Sequence, residues 1–323
     1  MPGRTRLVEC SVPTFRRSAW AVGRRPSNLW RVARRHSDWG PEDLWIKRDD
    51  VTGLGGGGNK IRKLQYTCAQ ALAVGATTLI TTGAPQSNHA RLTASAAARL
   101  GLRCVLVLGG AEPESAQGNL VLDALAGAEI VWAGGDRASA VDAAVQAVAD
   151  SGGVPFVIPF GGTSAVAAQG YVDCAREIEQ QLPGVERVVV ALGSGGTMAG
   201  LVAHLGVDRV VGVDVGAVAD PVSTVVGLLD EMPGPTVRAA DLQILRNQVG
   251  QGYSTLTEAS AGAIRCLART EGIFLDPTYT GRAFAGLIQL VKDKAITAGS
   301  ETVFLHTGGL PGLFGHPELS TLR

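Results

Sequence analysis

Lys60 closes the run Gly53-Leu54-Gly55-Gly56-Gly57-Gly58-Asn59-Lys60, between a strand-like segment and a helix-like one. A desolvated lysine amine can condense with a carbonyl or move a proton. Four consecutive glycines let the backbone approach a ligand closely, at an entropic cost that a plain turn rarely justifies. An NTPase phosphate loop would read GxxxxGK[ST]. Here Asn59 intervenes and Ile61 stands where the magnesium-binding hydroxyl belongs, so that reading fails. On its own, a lysine at a helix mouth is more often a solvated surface residue, and Lys63 lies one turn further on as a competitor.

Thr82-Gly83-Ala84-Pro85-Gln86-Ser87-Asn88-His89 also passes from strand to helix. Ser87 or Asn88 is there either as an N-cap for free backbone amides or as a ligand contact. A serine nucleophile of the GxSxG type is not supported, since the flanking glycines are missing. Gly193-Ser194-Gly195-Gly196-Thr197 has the makings of an anion site. The amides of a glycine turn and of a helix start form a cradle for phosphate, and Ser194 and Thr197 add hydroxyl donors. A dinucleotide fingerprint needs glycine where Met198 stands, so the cradle suits a smaller phosphorylated cofactor. Asp276-Pro277-Thr278-Tyr279-Thr280-Gly281 and His306-Thr307-Gly308-Gly309 are weaker singly, because Asp-Pro and Gly-Gly turns are common punctuation.

The elements between these loops must position them. From Asp43 onward, apolar runs at 44–46, 78–81, 104–108, 129–132, 156–158, 188–191, 210–213 and 302–305 read as buried strands. They alternate with segments of three-to-four periodicity at 60–74, 89–100, 118–126, 138–150, 165–182, 257–271 and 281–294. This alternation predicts an α/β protein with parallel sheets, covered on both faces. Ligands in such folds gather at the carboxyl ends of strands, where the glycine-rich stretches above fall.

Composition narrows the function classes. The 323 residues include 29 basic and 29 acidic ones, which argues against a dedicated nucleic-acid binder. Hydrophobic residues at 46% against 18% charged exclude global disorder. Cys10, Cys68, Cys104, Cys174 and Cys266 are widely spaced, without a CxxC pair, and read as free thiols rather than a disulfide framework or a metal module. No run approaches the roughly 20 apolar residues of a membrane span. Nine arginines in the first 40 residues are expected to belong to a solvated extension, with a transit peptide as the alternative and the cytoplasm as the expected compartment.

Taken together, these segments resemble the fold-type II pyridoxal-phosphate (PLP) enzymes, in the family of D-cysteine desulfhydrase and 1-aminocyclopropane-1-carboxylate (ACC) deaminase. The similarity runs from about Pro26 to Phe314. It is carried by Trp45-Ile46-Lys47-Arg48-Asp49-Asp50, Gly57-Gly58-Asn59-Lys60-Ile61-Arg62-Lys63-Leu64, Gln86-Ser87-Asn88-His89, the 193–197 turn, Leu275 to Gly281 and His306 to Gly309. The resemblance implies a three-layer αβα, tryptophan synthase β-like fold with two parallel-sheet domains. A small domain over 63–160 would be inserted into a large cofactor-binding one, 1–62 and 161–323, of which 1–25 is extension.

The resemblance also implies the site. Lys60 would form the Schiff base, and Gly193, Ser194, Gly195, Gly196 and Thr197 would hold the phosphate. Asn88 would bond the ring hydroxyl, Ser87 the substrate, and Tyr279 would lie against the ring, with Tyr253 as second tyrosine. Thr280 stands where ACC deaminases carry glutamate, as in the desulfhydrases, and His306-Thr307-Gly308 is the desulfhydrase form of that turn. A hydroxyl stabilises a pyridinium less than a carboxylate does, which favours β-elimination over cyclopropane opening. The implied activity is deaminating β-elimination from a small amino acid such as D-cysteine, with L-cysteate lyase, ACC deaminase, a pathway-specific enzyme or a silent PLP-binding relative as alternatives. A homodimer, an amino-acid substrate and no metal are implied too. One departure concerns the pocket: the family pattern Tyr-Gly-x-Pro-Asn becomes Tyr253-Ser254-Thr255-Leu256-Thr257.

Overall fold

The computed structural model describes residues 29–31, 43–234, 236–297 and 299–322, so the extension expected over 1–25 and Cys10 lie outside them. The chain order is β1 (Leu29–Arg31), β2 (Leu44–Arg48), α1 (Lys60–Ala73), β3 (Thr78–Gly83), α2 (Asn88–Leu100), β4 (Arg103–Leu108) and α3 (Asn119–Leu125). Then come β5 (Glu129–Trp132), α4 (Arg137–Asp150), β6 (Pro155–Ile158), α5 (Ala165–Gln181), β7 (Arg187–Leu192), α6 (Gly196–Leu205) and β8 (Val210–Asp214). The last are α7 (Pro221–Asp230), β9 (Gln243–Leu245), α8 (Glu258–Glu271), α9 (Thr280–Lys292), β10 (Thr302–His306) and α10 (Leu310–Phe314).

These elements build two sheets, one of six strands in the order β1-β2-β10-β7-β8-β9 and one of four in the order β5-β4-β3-β6. All pairings are parallel except β1 with β2. Apolar residues run continuously along the strands because both faces are covered. In β7, Val188, Val190 and Leu192 pack with α5 and α6, while Val189 and Ala191 pack with α8 and α9. In the smaller sheet, Leu79, Leu106 and Leu108 face α1 and α2, whereas Ile80, Val105 and Val107 face α4. Both are three-layer αβα units, as the alternation predicts. The edge strands β1 and β9 and the short helices α7 and α10 go beyond the elements read from sequence, because three-residue strands carry too little periodicity to show. Among the described residues, Cys68, Cys104, Cys174 and Cys266 are free thiols.

A buried ion network holds the start of α1 in place. Arg62 donates to both carboxylate oxygens of Asp49, at 2.8 and 2.9 Å, and to both of Glu177, at 2.9 and 2.7 Å. Lys47 pairs with Glu177 at 2.9 Å, and the Tyr171 hydroxyl donates to Asp49 at 2.8 Å. The motif residues Lys47 and Asp49 at the end of β2 therefore fix the helix that begins at Lys60.

Candidate active site

The loops after β2, β3, β6, β7, β8 and β10 converge on one cavity between the two sheets. Asn59 and Lys60 line it from the first loop, Ala84, Ser87, Asn88 and His89 from the second, and Phe160 and Gly161 from the third. Gly193, Ser194, Gly195 and Thr197 line it after β7, with Ala217, Tyr253, Tyr279 and Thr307 completing the wall.

The glycine run does steric work at Gly57. Its φ is +76°, and a Cβ there would sit 1.9 Å from the carbonyl oxygen of Asp50. Only glycine lets the loop fold back on β2 before α1 begins. Asn59 then ties that loop to two others: its backbone N–H donates to the Thr307 carbonyl at 2.9 Å, and its side-chain amide donates to Thr197 Oγ1 at 3.3 Å.

Lys60 opens α1 and its amine donates to the Gly161 carbonyl at 3.0 Å. Burial lowers this amine to about 8, against a weaker upward effect of its hydrogen bond with Lys63. Lys63, which sequence reasoning set aside as a competitor on the helix, is buried beside it. Its amine donates to Thr163 Oγ1 at 3.1 Å and reaches the Gly161 carbonyl at 3.5 Å. A Cβ on Gly196 would come within 3.0 Å of that amine, so Lys63 lies directly against the glycine turn. Burial, and then the charge of Lys60, push Lys63 well below the ordinary lysine value. Among the described residues, neither amine has a carboxylate within ion-pair reach. The buried Lys63 amine, the half-buried Lys60 and the glycine turn opening α6, with no acid beside them among the described residues, could hold an anion such as a phosphate.

Ser87 is the N-cap of α2 and stands at the cavity wall. Its Oγ accepts from the Ala90 N–H at 3.1 Å. The Ser194 and Thr163 hydroxyls bond each other at 2.6 Å, which joins the glycine turn to the loop after β6. Tyr253 and Tyr279 share a hydrogen bond between their hydroxyls, with ring centroids 5.8 Å apart and planes at 79°. Burial raises both phenols, so they stay protonated at neutral pH. His89 is buried and kept neutral by burial, and then by the charges of Lys60 and Lys63.

Thr280 alone of the anticipated side chains faces elsewhere. It is fully buried, donates its hydroxyl proton to Asp276 Oδ1 at 2.7 Å, and accepts from the Asp276 N–H at 2.8 Å. The residue that does reach the cavity from that side is Thr307. The loop Phe160 to Thr163 was missed by sequence reasoning. Its signal was a Gly-Gly turn directly after a strand, the same signal that flagged the 193–197 turn.

A model of the pyridoxal-phosphate dependent enzymes matches residues 21–308. The D-cysteine desulfhydrase of Salmonella schwarzengrund is 42% identical over 305 residues, covering 88% of this chain and 92% of that one. The protein of that name from Salmonella paratyphi B matches to the same extent. Among solved structures, an ACC deaminase homologue superposes with a TM-score of 0.83 at 36% identity, covering 94% of this chain and 95% of that one. Escherichia coli diaminopropionate ammonia lyase, at 18% identity and a TM-score of 0.64 over 92% and 86% of the two chains, shares the fold. With similarity along nearly its whole length, the chain belongs to the PLP-dependent enzymes, in the family that contains D-cysteine desulfhydrase and ACC deaminase.

Proposed function

We propose that the chain removes the β substituent of a small amino acid, with D-cysteine as first candidate: D-cysteine and water give pyruvate, hydrogen sulfide and ammonia. The observation that carries this reading is the convergence of Lys60, the 193–197 turn, the Ser87-Asn88 pair and the Tyr253–Tyr279 pair on a single cavity. Relatives named D-cysteine desulfhydrase at 42% identity support the substrate class.

In this reading Lys60 holds the aldehyde carbon of PLP, and Gly193, Ser194, Gly195, Gly196 and Thr197 hold its phosphate together with Lys63. Asn88 would bond its ring oxygen, with Tyr279 beside the ring. Bound there, PLP supplies an electron sink that acidifies the Cα–H of the substrate. Once the substrate amine has replaced it on the aldehyde carbon, the Lys60 amine would take that proton; burial lowers this lysine to about 8, as a general base requires. Ser87 uses its oxygen lone pair on Ala90, which leaves its hydroxyl proton for a substrate carboxylate. Tyr253 and Tyr279, held neutral, share one phenolic hydrogen between them and have the other left to offer where the leaving group departs. Thr280, where ACC deaminases carry glutamate, turns its hydroxyl to Asp276 and brings no carboxylate to the ring, which suits elimination better than cyclopropane opening.

We propose further that residues 63–160 form the inserted small domain, and that the enzyme works as a cytoplasmic homodimer without nucleic acid; the even charge balance supports the last point. No helix among the described residues is long and apolar enough to cross a membrane. The deciding experiment loads purified protein with PLP and assays oxo-acid and ammonia from both enantiomers of cysteine, cysteate, serine and chloroalanine, and from ACC. Pyruvate from D-cysteine, lost together with the visible cofactor band in Lys60→Ala, is the expected result. Ammonia and 2-oxobutanoate from ACC would move the reading to ring opening. A Lys60→Ala protein that kept band and turnover would end it.

A further inference from the structure

Arg91, in the second turn of α2, is fully buried and has five hydrogens to place. Its Nη1 donates to the Gly55 carbonyl and its Nη2 to the Gly57 carbonyl, the latter at 3.0 Å. Its Nε donates to Asn119 Oδ1 at 2.8 Å. A guanidinium has no acceptor, so this last bond decides which end of the Asn119 amide is oxygen. Asn119 Nδ2 must then point the other way, and it meets two oxygens there: the Gln86 carbonyl at 3.0 Å and Asn88 Oδ1 at 3.2 Å. The Asn119 backbone N–H is anchored separately, on Gln86 Oε1 at 2.9 Å.

The same logic passes one residue on. Because Asn88 Oδ1 accepts from Asn119, the group Asn88 has left for the cavity is its Nδ2, a donor. We infer that Arg91 and Asn119 are positioning residues that fix the Asn88 amide with its N–H toward the cavity, so that the site selects the ring oxygen of the cofactor in its ionised, acceptor form. The guanidinium also ties the glycine loop that delivers Lys60 to the helix start that delivers Asn88, so one charge sets the imine-forming group and the ring-oxygen contact relative to each other. The inference rests on Asn88 facing that oxygen, as proposed above. Asp123, fully buried on α3, is the acidic group whose charge acts on Arg91. Burial lowers Arg91 to about 10, which leaves it charged at neutral pH.

The test is Asn119→Asp. An aspartate keeps the bond from Arg91 but has no hydrogen for Asn88, so the Asn88 amide turns its own Nδ2 to the new carboxylate and its oxygen to the cavity. The ring oxygen then meets an acceptor and favours its protonated form. The expected readout is a fall in the ratio of visible to near-ultraviolet absorbance of the PLP-loaded protein, with PLP binding weaker by about tenfold or more, the worth of one lost buried hydrogen bond. If that variant does not fold, Asn119→Ser removes the same bond without adding charge and should move both readouts the same way, by less. Wild-type ratio and affinity in a folded variant would overturn the inference while leaving the Lys60 reading intact. Absence of the visible band from the loaded wild-type protein would instead overturn the Lys60 reading itself.

Discussion

The amines of Lys60 and Lys63, one helical turn apart on α1, converge on a single carbonyl oxygen, that of Gly161, at 3.0 and 3.5 Å. Two buried amines without a carboxylate repel whenever both are charged, and burial already disfavours each charge. A phosphate on the 193–197 turn, as proposed, would resolve this, because it would supply a counter-charge to Lys63 and leave Lys60 free to work as an amine.

Lys63→Met keeps side-chain length and removes the charge. The dissociation constant of PLP should rise roughly ten- to hundredfold, the loss of about 1.5–3 kcal/mol for a hydrogen bond to a charged group. The visible band should persist at saturating cofactor, because Lys60 is untouched. Equilibrium titration by absorbance checks both points.

The uptake of PLP by the free protein should depend on pH through Lys60. Only the neutral amine attacks an aldehyde, so the rate rises with pH through about 8, the value to which burial lowers this lysine, and then levels off. The Lys60 ammonium donates to the neutral Lys63 amine, which raises the Lys60 value, so Lys63→Met should move the midpoint below 8. Stopped-flow absorbance from mildly acidic to strongly basic pH reads the midpoint. A midpoint at the ordinary lysine value would contradict the burial of this amine.

Asp123 is fully buried, and neither of its oxygens has a hydrogen-bond partner among the described residues. Burial pushes its carboxyl up to about 7, against a smaller downward pull from Arg91. A carboxyl whose folded value is raised binds more protons folded than unfolded between about 4 and 7, so stability falls as pH rises through that window. An amide in its place would carry no such cost, which makes Asp123→Asn the probe. The variant should be more stable than wild type above that window, by a few kcal/mol at most, and close to it below the window. Urea unfolding on either side of the window gives the comparison.

Asp49 accepts two bonds from Arg62 and one from the Tyr171 hydroxyl in a fully buried position. Asp49→Asn removes one of the guanidinium's two counter-charges, leaving Glu177, and should cost about 1–3 kcal/mol of stability. Because the network braces the start of α1, cofactor affinity should fall with it. Thermal melts with and without PLP measure the two effects.

Arg282, on α9, donates to the carbonyls of Val215, Gly252 and Thr255 at 2.7, 2.6 and 2.6 Å. Two of these bonds hold the backbone on either side of Tyr253, which lines the cavity. A lysine cannot span three carbonyls in that fork. Arg282→Lys should lower kcat/KM for the β-substituted substrate about tenfold or more while the visible cofactor band stays as in wild type. Steady-state kinetics beside the absorbance spectrum separates the two.

Much of this protein follows from local sequence. The apolar runs at 78–81, 104–108 and 188–191 and the helical periodicities between them are short-range signals, and they became β3, β4, β7 and their helices. The glycine run before Lys60 and the turn at 193–197 are equally local, since close backbone approach demands glycine wherever it occurs. Tertiary structure decided what local signals do not encode. Nothing near Lys63 in sequence distinguishes it from a surface lysine; it comes to lie against the 193–197 turn because α1 packs on α5 and brings Gly161 and Thr163, about a hundred positions away, to its amine. Likewise Thr280, adjacent to Tyr279 in the motif, turns into the protein to meet Asp276, whereas Thr307 reaches the cavity from another strand. The orientation of the Asn88 amide depends on Arg91 and Asn119, joined only when α2 and α3 pack together. Periodicity and turn chemistry act over a few residues, while burial, counter-charge and hydrogen-bond polarity belong to groups that only folding makes neighbours.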